Sequence, residues 1–200
     1  MSIILKIKLI VIINILREHI IERLGNNVPR LDEVLQCFKP LKIKRNEQIL
    51  SQGEICKYVY FVAEGCLQVY VYDRESNENT RDIITENNWC SELMSFGSQS
   101  PATENIRAVE PCSLLAIDRQ SFQLLVETVP QFDKVYKQIL EASYANSVYR
   151  INTFVSLTAL ERIKWLMEYR PKLMTRLSSK LIASYLGISQ ETFSRLKAKL

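Results

Sequence analysis

The stretch Ser178–Leu200 reads SSKLIASYLGISQETFSRLKAKL. Leu181, Ile182, Tyr185 and Leu186 recur at helical spacing, and Ser178 or Ser179 precedes them as an N-cap. Gly187 follows at once, suited to a left-handed C-cap that turns the chain sharply. Ile188 is expected to pin that turn to the core. Ser189 then caps a second helix, with Phe193 and Leu196 inward and Gln190, Glu191, Ser194 and Arg195 outward. Two short helices joined in this way form a helix-turn-helix, whose second helix suits the DNA major groove.

A helical hairpin with a glycine turn also occurs in domains that bind no DNA. The outward Gln, Glu and Arg side chains can bond base edges, which favours the nucleic-acid reading. Charge points the same way. From Glu161 to Leu200 there are nine Lys or Arg against three Glu, while the whole chain is only +4. The basic excess is therefore concentrated at this end, as a phosphate-backbone partner requires. Lys180, Lys197 and Lys199 are the candidates for phosphate contact. A tail that binds a protein partner stays open as the alternative.

Working outward, the 200 residues are 47% hydrophobic and 24% charged, ordinary figures for one or two globular domains. Cys37, Cys56, Cys66, Cys90 and Cys112 are scattered, and His19 is the one histidine. No clustered ligand set for zinc or an iron–sulfur centre is present, so no metal or other cofactor is expected. Buried thiols in a reducing, cytoplasmic setting are the expectation. In the opening MSIILKIKLIVIINIL the longest apolar run is Leu9 to Ile13, too short to span a bilayer. No membrane partner is expected, and a helix start or a poorly ordered extension is.

Ile13 to Leu24 reads as an amphipathic helix with Ile13, Leu16, Ile20 and Leu24 on one face, stopped by Gly25-Asn26-Asn27. A second short helix begins near Pro29 and ends before Pro40. From Leu41 the period becomes alternating. Strands are expected over Leu41–Lys44, Gln48–Leu50, Tyr58–Val62 and Leu67–Tyr72, with Asp73 to Thr80 a hairpin loop. Arg81–Thr85, Asn105–Val109 and Ser113–Ile117 complete the set, and Ser91–Phe96 reads as a short interrupting helix. Such spacing indicates an antiparallel β-roll.

After Asp118 the helical period returns. Phe122, Leu125 and Val126 mark a short helix ending at Pro130, and Gln131 to about Phe154 is a long one. Its seam Phe132, Val135, Ile139, Ala142, Asn146, Tyr149 and Thr153 suits a coiled-coil contact with a second copy. The other apolar face is Tyr136, Leu140, Tyr144, Val148 and Ile151. A further helix spans Thr158 to Tyr169 and ends at Pro171. The fold class is thus α+β: a helical extension (1–40), a β-roll sensor (41–129), a dimerisation helix (130–155) and a helix-turn-helix domain (156–200).

ILSQGEICKYVYFVAEGCLQVYVYD (Ile49–Asp73) and IASYLGISQETFSRLKAKL (Ile182–Leu200) together resemble the Crp/Fnr superfamily of bacterial transcription regulators. The first is similar to that family's cyclic-nucleotide-binding-like roll, a double-stranded β-helix, with turn glycines Gly53 and Gly65. In the second, Ala183, Gly187, Ser189, Glu191, Thr192 and Arg195 fall where the family motif has them. The resemblance implies that Gln190, Glu191 and Arg195 read bases and that Ser189 and Thr192 approach phosphates. It implies a homodimer on double-stranded DNA, with RNA polymerase as a further partner.

The resemblance also locates a degenerate ligand pocket. Cyclic-nucleotide binders of the family carry a Gly-Glu-Leu segment, then an Arg followed by a small hydroxyl residue and Ala. Here Ser91-Glu92-Leu93 and Ala102-Thr103-Glu104 stand at those places. Glu92 survives, but Ala102 replaces the phosphate-binding Arg and Glu104 adds a carboxylate. Burying a phosphate without its cation is costly, so cyclic AMP is not the expected effector. The family's β-hairpin wing has no counterpart after the reading helix in this sequence, so weak, steeply salt-dependent binding is expected. A cupin-like enzyme on the roll fails for want of metal ligands, and no nucleophile–base pair suggests another enzyme.

Overall fold

A computed structural model describes residues 3–200, with side chains from Ile7 onward. In chain order the elements are α1 (Ile3–Leu24), α2 (Leu31–Gln36), β1 (Lys39–Ile43), β2 (Gln48–Leu50), β3 (Tyr58–Glu64), β4 (Leu67–Tyr72) and β5 (Glu78–Ile84). There follow β6 (Asn88–Cys90), α3 (Leu93–Ser98), β7 (Asn105–Ala108), β8 (Cys112–Asp118), α4 (Arg119–Thr128) and α5 (Pro130–Ser156). Four helices end the chain: α6 (Ala159–Tyr169), α7 (Pro171–Arg176), α8 (Ser179–Leu186) and α9 (Gln190–Lys197). The strands form two sheets in the orders β1-β8-β3-β6 and β2-β7-β4-β5. Strand β8 pairs antiparallel with β1 and β3, as do β3 with β6 and β2 with β7. The expected α+β class with an antiparallel β-roll is the one observed.

Residues group into two units. The first runs up to Val69 and resumes over Ile84–Leu140; the second is Tyr70–Ile83 with Glu141–Leu200. A partition by position alone cannot place the hairpin residues 70–83 with the tail, because the association is made through space.

The first unit is built around the apolar strands β3 and β8. Phe61, Leu67, Ile106, Leu114, Leu115 and Ile117 are fully buried. At Gly65 (φ +102°) the chain turns beside Cys112, whose Cα would lie 2.8 Å from any Cβ there. Only glycine permits that approach. None of the five cysteines forms a disulfide; four are buried and Cys37 is half-buried.

Several expectations shift. Helix α1 starts ten residues before Ile13 and buries Ile12, Leu16, His19 and Ile20, while Ile13 and Leu24 are only half-buried. Met1 and Ser2, part of the apolar opening, lie outside the described residues. Strand β6 is too short to show an alternation, yet Trp89 pairs with Phe61 of β3. Strand β5 begins at Glu78 rather than Arg81 because the Asp73 carboxylate accepts the N–H groups of Glu75 and Asn77, both at 2.9 Å, and tightens the loop. Pro171 not only stops α6 but opens α7 at its first turn, where its missing N–H costs nothing. Among the described residues, no helix is long and apolar enough to cross a membrane.

His19 is the buried polar group that ties α1 to the roll. Its Nε2 accepts the Trp89 indole N–H at 2.9 Å, and its ring meets Phe61 edge-on at 4.9 Å. Burial, with Arg23 nearby, lowers its pKa from 6.5 to about 4. Above 6.5 neither folded nor unfolded chain holds this proton, and the contribution is fully present. As the pH falls from 6.5 toward 4, the unfolded chain takes up a proton that the folded chain refuses. The loss reaches about 3 kcal/mol at the lower end. Urea unfolding at stepped pH should show this slope, and His19→Gln should flatten it; equal slopes in the two proteins would contradict it.

Candidate nucleic-acid interface

In the second unit the helix-turn-helix is assembled by local hydrogen bonds that the sequence encodes. Ser178 caps α8 by accepting the Leu181 N–H at 3.3 Å. At the other end Gly187 adopts φ 65°, ψ 41°, so that Ile188 N–H reaches Ala183 O at 3.0 Å and Gly187 N–H reaches Ser184 O at 3.1 Å. This pair of bonds is a Schellman closure. Ser189 then caps α9 by accepting the Thr192 N–H at 3.1 Å. Leu181, Ile182, Ala183, Tyr185, Leu186 and Phe193 are buried, whereas Leu196 and Ile188 are half-buried.

With Phe193 held inside, the opposite side of α9 faces solvent. Gln190, Glu191 and Arg195 are all exposed, as are Ser189, Lys180, Lys197 and Lys199, and Thr192 is half-exposed. The Glu191 carboxyl sits in the first turn of α9. Its own backbone N–H and the Ser189 hydroxyl hold its pKa below the usual carboxylate range, so it stays an acceptor at neutral pH. Ser189 and Thr192 hydroxyls lie 3.1 Å apart. Apart from Lys180, which is on α8, the residues expected at the reading surface lie on α9 or within two residues of its ends.

The basic excess divides on inspection. Arg162 donates to Leu186 O at 2.7 Å and Leu157 O at 3.2 Å. Arg170 donates to the Tyr185 hydroxyl at 3.1 Å and to Ile83 O at 2.9 Å. These two guanidinium groups bind their own chain. Lys164, Lys172, Lys180, Arg195, Lys197 and Lys199 are the exposed cations of the tail. Charge counting could not separate the two sets, and Arg150 escaped it altogether. Arg150 is half-buried, donates to Tyr185 O at 2.7 Å and Thr80 O at 3.1 Å, and lies 3.9 Å over the Tyr185 ring.

The expected dimer seam is corrected at its ends. Phe132 and Val135 are buried in the core of the first unit, and Ile139 packs on it. Thr153 is buried, and Tyr149 accepts the Trp165 indole N–H at 2.8 Å. Ala142, Asn146 and Tyr149 of that seam remain exposed. The exposed apolar stripe is the other face of α5, Tyr144, Val148, Ile151 and Val155, at steps of four, three and four. A helix with two apolar faces gives no sign, in sequence, of which one its own chain covers.

At the expected ligand pocket Glu92 is buried, but its carboxylate caps α3 by accepting Ser95 N–H at 2.7 Å. Ala102 is buried in a two-way backbone bridge, donating to Glu54 O and accepting from Gly53 N–H. Leu93 and Thr103 are exposed. Arg107 of β7 donates to Gln68 Oε1 at 3.0 Å. Among the described residues, no group of His, Cys, Asp or Glu has the arrangement of a metal site.

The turn at Gly187 generates a prediction. A Cβ there would fall 2.5 Å from the Phe154 ring, in a backbone conformation that L-residues resist. Gly187→Ala should cost about 1–3 kcal/mol in denaturant unfolding. Adding Phe154→Ala should recover the steric part; strict additivity of the two would show that the ring is not the obstacle.

Residues 40–129 match the model of the cyclic nucleotide-binding domain family. No curated protein matches the chain in sequence. Among solved structures it is similar to the c-di-GMP-responsive global regulator CLP of Xanthomonas campestris, at 16% identity and TM-score 0.69, over 84% of this chain and 90% of that one. It is similar to the catabolite activator protein of Thermus thermophilus, at 20% identity and TM-score 0.57, over 91% and 86%. A Eubacterium rectale protein described as a transcriptional regulator of the crp/fnr family matches at 14% identity and TM-score 0.66, over 86% and 82%. The chain thus contains a cyclic nucleotide-binding domain followed by a helical tail, and it has the Crp/Fnr fold.

Proposed function

We propose that this chain is a sequence-specific, DNA-binding transcription regulator of the Crp/Fnr type, acting as a homodimer and not as an enzyme. The observation that carries the reading is the outer side of α9. It offers Arg195, Glu191 and Gln190 to solvent while Phe193 anchors the helix from behind. Arg195 suits guanine O6 and N7, and Glu191 suits a cytosine amino group. Lys180, Lys197, Lys199 and the hydroxyls of Ser189 and Thr192 reach solvent and are the groups to hold phosphates. Structural neighbours that are transcription regulators support the same role.

The dimer contact we assign to Tyr144, Val148, Ile151 and Val155 of α5, the exposed stripe. Two copies joined there present two reading helices to half-sites about 34 Å apart. Cytoplasmic action follows from a chromosomal target, and RNA polymerase is the partner through which a bound regulator would act. For the effector we propose a molecule other than cyclic AMP, or none. One oxygen of the Glu92 carboxylate already accepts the Ser95 N–H, and by the resemblance Ala102 takes the place of the phosphate-binding Arg.

Three outcomes are expected. In mobility-shift titrations on promoter DNA, Arg195→Ala should weaken specific binding by about 5- to 150-fold, the 1–3 kcal/mol of one base contact. Lys197→Ala should weaken all sequences alike and flatten the salt dependence; no binding by the parent protein would favour a protein partner for the tail. Sedimentation should show a dimer that Val148→Glu converts to monomer, raising the dissociation constant by at least about 100-fold. Calorimetry with cyclic AMP should give no tight binding, and a strong saturable heat would overturn the effector proposal.

A further inference from the structure

Strand β5 is the outer strand of its sheet, and an outer strand leaves one row of backbone groups without a neighbouring strand. In the second unit that row is taken up by side chains of the tail helices. The Ser184 hydroxyl, in the middle of α8, donates to Glu78 O at 3.0 Å and accepts Thr80 N–H at 2.9 Å. Its second lone pair faces the Thr80 hydroxyl at 2.8 Å. One donation and two acceptances exhaust what a serine hydroxyl can do. Glu78 and Thr80 are two residues apart, so their carbonyls leave the strand on the same side. Arg150 takes the second of them, Thr80 O, and spans to Tyr185 O on α8. Arg170 joins Ile83 O to the Tyr185 hydroxyl.

Three side chains from separate parts of the tail therefore hold one strand, and all three converge around Ser184–Tyr185. Nothing in the DNA-reading proposal uses them: none lies on the outer side of α9. We propose that Ser184, Arg150 and Arg170 are positioning residues that seat α8 on the edge of β5, and that this seat fixes the orientation of α9. The link from α8 to α9 is the Schellman turn at Gly187, closed on the carbonyls of Ala183 and Ser184, so freeing α8 from its seat loosens that closure and the start of α9 behind it. The name "reading helix" for α9 rests on the proposed function, but the seat itself does not.

The test is native-state hydrogen exchange by mass spectrometry on the full chain, with Ser184→Ala, Arg150→Gln and Ser184→Thr. In the first two, peptides covering 78–83 and 190–197 should both exchange at least about fivefold faster. Peptides over β3 and β8 should be unchanged, and Ser184→Thr, which keeps the hydroxyl, should restore the parent rates. Faster exchange over 78–83 with 190–197 unchanged would overturn the proposal, because the strand would then rest on α8 without orienting α9. Equal acceleration in every peptide would also overturn it, showing a general stabilising role, and so would no change. The readout needs no DNA, so absence of DNA binding would refute the functional reading and leave this result standing.

Discussion

No side chain fits at Gly187. The chain there must take a left-handed conformation, and the Phe154 ring occupies the space a Cβ would need. Much of the second unit follows from that constraint. The turn closes α8 with two backbone bonds, hands the chain to Ser189, and starts α9 at a fixed angle. Phe193 then goes inward, and Arg195, Glu191 and Gln190 go outward, because eight helical residues starting from a fixed cap have no other phase. Arg162 reinforces the turn from beneath, donating to Leu186 O while facing the Phe154 ring at 5.1 Å. A surface that reads DNA needs such rigidity, since base contacts tolerate little error in position.

The tail's arginines and lysines divide the work by chemistry. A guanidinium is planar with several donors, so it can bridge two carbonyls, and Arg150 and Arg162 each do so. Arg170 likewise joins a carbonyl to a hydroxyl. The lysines, compact and strongly hydrated, remain at the surface where phosphates would meet them. Basic residues that stabilise the unit and basic residues that would attract a polyanion, Arg195 among them, are thus distinguished by depth, not by location in the chain.

Most of the fold is readable from the residues alone. The strands β2 and β4 and the helices α8 and α9 have strong periods and clear caps, and their expected bounds hold within a residue or so. What is not readable depends on contacts across the chain. Strand β6 shows itself only by pairing with β3, and the grip of Ser184 on β5 joins residues 104 apart. The covered face of α5 is decided by the core that accepts Phe132 and Val135, not by the helix's own pattern. The pocket followed a different course. The Glu92 carboxylate, expected to line a pocket, caps α3 by accepting the backbone N–H of Ser95, a bond that any residue at that position would offer and that no side-chain pattern announces.

The roll and the helical tail therefore carry different amounts of chemistry. The roll matches a cyclic nucleotide-binding domain, and Ala102 is buried within it. The tail keeps a complete set of caps, anchor and outward-facing donors. The decisive measurement is selection of bound duplexes from a random DNA pool by the full-length protein. The proposed function predicts enrichment of an inverted repeat whose half-sites are centred about 10 base pairs, or a multiple of that, apart. Recovery of no enriched sequence, or of a motif without two-fold symmetry, would contradict it.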